Sequence, residues 1–170
     1  MVNSDPHFFN GPGIIILVLT ISLLQACTEN NPENAFRNGD YERAFELWKP
    51  LADNGDLDAA YYLGLHYYLG LGVKKNHVLA RQWYEKAAEK GHAAAQLGLG
   101  TMYQDGDNVA QNFVTAYMWY YASAFQGNEV APKKMTMLIR EKKLFVNQVH
   151  QAEELAKPYI PPEKIKPGEL

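Results

Sequence analysis

Apolar, polar and small residues recur along this chain with a period of 36 positions. Gly55, Gly91 and Gly127 keep that spacing, as do Asp40, Asn76 and Asn112; Ala44, Ala80 and Ala116; and Ala52, Ala88 and Ala124. Asp and Asn side chains accept the free amides at a helix start, so helices are predicted just after 40, 76 and 112. Glycine supplies the left-handed turn that stops each of them. The alanines let two helices approach where a longer side chain would hold them apart. Ahead of each such helix lies another repeated one. Leu63, Gly64 and Tyr67 align with Leu99, Gly100 and Tyr103, a small dent between two large residues that suits a neighbouring helix, and Gly70 and Gly106 end it. The pattern predicts a half unit over 34–56 and complete units over 57–91 and 92–127. Pro50 falls inside the half unit's helix and predicts a kink. Beyond 127, Val130, Ala131 and Pro132 open a helix that reads as a break in the repeat. Val149, Ala152 and Leu155 alternate with polar residues in a last amphipathic helix over 147–156. Residues 128–156 therefore read as a cap on the stacking face. Prolines 158, 161, 162 and 167 predict an extended, mobile tail over 157–170.

One stretch stands outside this period. Residues 14–24 are an apolar run of eleven, about 16 Å of helix at a rise of about 1.5 Å per residue, roughly half a hydrocarbon core. That length fits a secretory h-region rather than a spanning helix. Gln25, Ala26 and Cys27 follow, then polar Thr28 and Glu29. The arrangement resembles a bacterial lipoprotein signal, which implies a signal peptide over 1–26, acylation of Cys27 as the mature N-terminus, and a short linker over 27–33. The resemblance departs at residues 1–13, which hold no Lys or Arg. Thr28 rather than Asp after the cysteine is similar to lipoproteins sent to the outer rather than the inner membrane. The residues alone also admit an uncleaved anchor or an ordinary cleavage site before Cys27.

The stretch from Ala80 through Trp83, Tyr84, Ala87 and Ala88 to Gly91, preceded by Leu63, Gly64, Tyr67, Gly70 and Gly72, resembles the Sel-one-like repeat (SLR). That is a 36-residue relative of the tetratricopeptide repeat. Ala116, Tyr117, Met118, Trp119 and Tyr120 renew it in the next unit. The resemblance covers about 34–127 and departs mildly at Asn108, in the place of Gly72, and at Ser123, in the place of Ala87. It implies an all-α fold, a short right-handed solenoid of antiparallel helix pairs with C-terminal capping helices. It also implies a concave surface, lined by the first helix of each pair, on which peptides dock.

Composition narrows the chemistry. The 170 residues are 21% charged and 47% hydrophobic, which suits a folding chain, and the net charge of −3 offers nothing globally basic to a nucleic acid. A single cysteine excludes an intramolecular disulfide and a cysteine-rich zinc site. Charge is uneven: residues 28–132 hold 8 basic and 13 acidic side chains, residues 133–170 hold 8 and 5. The basic end reads as a solvated cap or as a surface resting on anionic lipid headgroups or cell-wall polymer. No phosphate loop or nucleophile constellation appears, and His66, His77, His92 and His150 lack ligand spacing. His66, where the next unit has Met102, is expected to be semi-packed. Neither a cofactor nor a metal is expected, and the chain reads as a non-enzyme. Sel-one-like proteins credited with β-lactam binding or hydrolysis carry paired cysteines in each repeat, which this chain lacks, so that activity and a cell-wall enzyme are remote alternatives.

Aromatic residues carry the functional signal. Eleven Tyr, seven Phe and three Trp exceed what two and a half repeats need for packing. Tyr61, Leu65 and Tyr68 form one row on a first helix, with Leu97, Thr101 and Gln104 in the same row of the next unit. This row either covers the preceding half unit or offers a rigid shelf to a partner segment. Tyr117, Tyr121 and Phe125 form a second stripe where the preceding unit has Arg81, Glu85 and Glu89, and burial under the cap is the better reading of it. The expected function is a lipid-anchored, periplasm-facing adaptor or assembly factor that binds another protein. The alternative is an immunity protein that neutralises a secreted effector.

Overall fold

The structure, a computed structural model, describes residues 30–141 and 143–164. Cys27, the apolar run and residues 165–170 lie outside the described residues. Among the described residues eight α-helices follow one another: α1 (Pro32–Arg37), α2 (Tyr41–Asp53), α3 (Leu57–Leu69), α4 (His77–Ala88), α5 (Ala93–Asp105), α6 (Phe113–Phe125), α7 (Ala131–Arg140) and α8 (Val146–Ala156). No strand occurs among the described residues. From α1 to α7 each helix packs against the one before it, and both α7 and α8 pack against α6.

The predicted helix ends are where the repeat placed them. Asp40, Asn76 and Asn112 each accept a backbone N–H three residues on, from Arg43, Leu79 and Thr115. Gly55, Gly91 and Gly127 have φ of +93°, +85° and +97°. Ala44, Ala80 and Ala116 are wholly buried. α2 runs on as one helix through Pro50.

The dent at Leu, Gly and Tyr has a specific occupant. A Cβ on Gly64 would lie 2.5 Å from the Tyr84 ring, and one on Gly100 would lie 2.5 Å from the Tyr120 ring. Each pair is 20 residues apart, so the second helix of a unit drives a phenol into the glycine gap of its own first helix. The far face of the same ring meets the next unit, since a Cβ on Gly98 would stand 3.1 Å from Tyr84. Trp48 holds the equivalent place in the half unit and stacks on Tyr62 at 4.5 Å, with the planes 9° apart. Tyr84 thus packs both on its own unit and on the next, as a one-dimensional stack requires.

Three readings from sequence are corrected. First, α7 does not leave the repeat register. Asn128 accepts from the backbone of Ala131, as Asp56 does from Ala59, and Ala131 is as fully buried as Ala59 and Ala95. Ala152 likewise takes the place of Ala44, Ala80 and Ala116. α7 thus starts at the repeat offset, its sequence signal hidden by Pro132 and the lysines, while α8 packs mainly on α6, so residues 128–156 close the stack as a cap and not as a further unit. Second, the tail is ordered as far as 164. It forms 3-10 turns at Lys157–Tyr159 and Pro162–Lys164, Ile160 is buried, and the Tyr159 ring meets Trp119 at 4.6 Å. Gln96 Nε2 donates to the Tyr159 carbonyl at 3.3 Å. Proline fixes φ without forbidding turns, and the apolar pair between prolines supplies the anchor. Third, α1 begins within the stretch read as linker, with Asn31 accepting from the amides of Glu33 and Asn34.

Candidate protein-binding groove

The first helices α3 and α5 lie side by side with one ridge of each facing outward. Tyr61, Leu65 and Tyr68 from α3 and Leu97 and Thr101 from α5 line one open depression of about 190 Å³. Five of the six residues in the predicted row are therefore brought together. Gln104 is not among them. It accepts from the Tyr120 hydroxyl at 2.9 Å and borders a neighbouring depression of about 200 Å³ with Phe113, Met137 and Leu138.

The floor of the first depression is Tyr84, which sequence reasoning missed. Its ring is 3% exposed and wedged between Gly64 and Gly98. The signal was present: two glycines with a large ring 20 residues after the first mark a slot that a ring must fill. Leu69, Ala94 and Gly98 complete the lining. The walls are held by contacts outside the groove. Tyr61 stacks against His92 at 5.2 Å, and His92 caps α5 by accepting from Ala95 through Nδ1. Its Nε2–H then donates to Asp58 at 2.8 Å. Tyr68 stacks on His77 at 5.0 Å and donates its hydroxyl to Asp107 Oδ2 at 2.7 Å.

Electrostatically the groove is neutral. Burial raises the Tyr61, Tyr68 and Tyr84 phenols above their ordinary range; Asp107 reinforces this at Tyr68, and neighbouring tyrosines at the other two. The hydroxyls stay protonated and act as donors or acceptors, not as bases. A rigid apolar trough with phenol hydroxyls at its edges suits a partner's apolar side chain. Among the described residues no group of three His, Cys, Asp or Glu is placed to hold a metal ion.

The other singled-out residues fall elsewhere. Tyr117 is 4% exposed, and burial followed by the nearby Glu153 of α8 pushes its phenol up to about 12. Tyr121 and Phe125 continue that stripe half-buried, with ring centroids 4.9 Å apart. His66 is not semi-packed but wholly buried, ringed by Phe36, Tyr41 and Phe45, with Nδ1 2.7 Å from the Leu71 carbonyl. Because the register continues into α7, a third row stands at the same offsets: Lys133, Met137 and Arg140, all exposed. Sequence reasoning missed it by taking α7 as a break.

Comparison with known proteins agrees with this geometry. Residues 29–56, 57–92 and 93–128 each match the Sel1 repeat. A solved protective antigen of uropathogenic Escherichia coli strains, displaying an SLR fold, is 32% identical with a TM-score of 0.71 over 82% of this chain. A Sel1 repeat protein from Oxalobacter formigenes is 31% identical with a TM-score of 0.62 over 78%. This chain spans 32% of the first protein's length and 56% of the second's. No curated protein matches the chain. Sel1 repeats generally mediate protein–protein interaction, and their fold is typically a binding scaffold rather than an enzyme. With three such repeats in unbroken register and the ring-in-slot packing common to two of them, this chain belongs to the Sel1 repeat family.

Proposed function

We propose that this protein is an adaptor or assembly factor of the bacterial envelope that holds a segment of another protein in the groove between α3 and α5. The observation that carries this reading is the convergence of Tyr61, Leu65, Tyr68, Leu97 and Thr101 on one depression floored by a locked phenol. Aromatic side chains fixed in this way lose little freedom on binding, which favours affinity. Acylation at Cys27, on the periplasmic side of the outer rather than the inner membrane, accounts for the apolar run that stops at the chain's sole cysteine. The same groove serves an immunity protein that blocks a secreted effector; the partner's identity separates the two.

The test is affinity purification of the acylated protein from envelopes, followed by paired measurements on the partner recovered. Tyr61→Ala/Tyr68→Ala is expected to weaken binding by about 2 kcal/mol or more, roughly thirtyfold, in a protein that still melts cooperatively. Tyr67→Ala, whose ring packs edge-on against Phe45, is expected to lose binding only by losing the fold. Undiminished affinity in a folded Tyr61→Ala/Tyr68→Ala variant overturns the assignment. Cys27→Ala is expected to release the protein from membranes, and unaltered membrane association in that variant sinks the anchor.

A further inference from the structure

The largest apolar exposure among the described residues lies outside the groove, at the turn between α7 and α8. Phe145 is 70% exposed and Val146 is 87% exposed. The turn that presents them is firmly built. Leu144 beside them is buried, the Lys143 amide closes α7 on the Leu138 carbonyl at 3.0 Å, and the Phe145 amide donates to Gln148 Oε1 at 3.0 Å. Both side chains are thus held outward by a fixed backbone. Arg140 and Lys143 flank them, both exposed, with the Lys143 ammonium also 5.3 Å from the Phe113 ring centre. Within 133–146 the sequence carries five basic residues and one acidic, against an acidic excess over 28–132.

We infer that this turn is a membrane-contact tip, placing Phe145 and Val146 among the acyl chains of an anionic lipid surface while Arg140 and Lys143 meet the headgroups. Two observations select this occupant. Phe145 and Val146 are highly exposed and line neither of the depressions described above, which fits a plane rather than a segment. The surrounding charge is unsuited to a second copy, since a symmetric contact would oppose two basic tips, whereas anionic lipid complements it. A hydrated wall polymer complements the charge but offers no apolar phase for Phe145 and Val146. No helix among the described residues is long and apolar enough to cross a membrane, so the tip rests on the surface. One aromatic and one aliphatic side chain flanked by two cations give weak, reversible attachment. The inference does not depend on the groove or on acylation, because the tip carries its own chemistry.

The test reads the tip locally. In the full chain with Cys27→Ser, Val146→Cys becomes the sole thiol and is labelled with an environment-sensitive nitrobenzoxadiazole dye. The label reports its own surroundings, and the variant labelled at position 46 carries the same residues 1–29 as its control. With vesicles of phosphatidylethanolamine and phosphatidylglycerol at 7:3, emission is expected to rise severalfold and shift to the blue. The same label at Glu46→Cys on α2 is expected to stay unchanged, as is the tip label with phosphatidylcholine vesicles. Adding Arg140→Glu and Lys143→Glu is expected to lower vesicle partition roughly twentyfold, about fivefold for each basic side chain replaced. A silent label at 146, an equal rise at 46, or an equal rise on neutral vesicles overturns the inference. So does a rise that needs only higher protein concentration, which makes the tip a self-association surface, or one produced by soluble peptidoglycan fragments.

Discussion

The unit over 57–91 and the unit over 92–127 share a frame and differ in almost everything around it. Both drive a phenol into a glycine gap, Tyr84 into Gly64 and Tyr120 into Gly100, with the same 2.5 Å left for an added Cβ. Both cap their helices with Asn at the same offset. Around this frame, His66 is replaced by Met102, Gly72 by Asn108, the Tyr61 and Tyr68 row by Leu97 and Gln104, and a charged face by Tyr117, Tyr121 and Phe125. Each difference follows the neighbour, not the unit. Arg81 and Glu85 pair at 2.6 Å, each half-buried, while Tyr117 lies buried beneath α8. The contacts that make a repeat are therefore invariant, and those that make an end or a binding face are free to change.

The comparison breaks hardest at the slots. Gly64→Val and Gly100→Val are each expected to destabilise by about 3 kcal/mol, because the overlapping atoms belong to buried rings. Denaturant midpoints test this, and a large inequality between the two variants means that the slots are not equivalent. Next comes the position with left-handed backbone in both units, where Gly72 has φ of +65° and Asn108 of +58°. A Cβ on Gly72 would lie 2.4 Å from the Glu42 amide nitrogen, so Gly72→Asn is expected to cost about 2 kcal/mol. Asn108→Gly is expected to change stability by less than about 1 kcal/mol, since asparagine already tolerates that conformation. A melting series on the two variants sharpens what the units share.

A smaller effect attends the bond that ties the two units beside the groove. Tyr68→Phe removes the 2.7 Å bond to Asp107 and is expected to cost about 1 kcal/mol while leaving the apolar trough in place. Partner affinity should follow the hydroxyl only if the partner uses it. The last effect is a slope rather than a level. Burial lowers the His66 pKa below its ordinary 6.5, although the bond to Leu71 opposes this. The unfolded chain then takes up the proton first as pH falls. Stability is full above about 6.5 and declines as pH drops from there toward the lower folded value. His66→Met, copying the next unit, should remove its share of that decline, measurable as urea midpoints between pH 7 and 5; an unchanged slope would assign the acid sensitivity elsewhere.

Much of the fold was legible because its determinants are local. Asp40, Asn76 and Asn112 act within one helical turn, and Gly55, Gly91 and Gly127 act on their own φ, so spacing alone located the helix ends. The Tyr61 and Leu65 row was legible for the same reason, since helical periodicity sets which side chains share a ridge. The offset at which α7 starts was not legible because Pro132 and two lysines look unlike the earlier units, while the residues that set it, Asn128 and Ala131, are small and inconspicuous. His66 looked ambiguous because nothing near it in sequence announces that Phe36 and Phe45 close over it.

The sequence by itself determined the period, the helix ends, the packed ridges and the chemistry available on each face, since these depend on interactions a few residues long. Tertiary structure decided which of those faces remain open. Tyr84 became a groove floor only because Gly64 and Gly98, 34 residues apart, close on its two sides. Tyr117 was withdrawn from solvent by α8, Tyr159 and Ile160 were drawn onto the stack, and Phe145 and Val146 were left outside it. Burial is a property of the whole neighbourhood, and the same aromatic ridge is core, cap or binding surface according to what the chain lays over it.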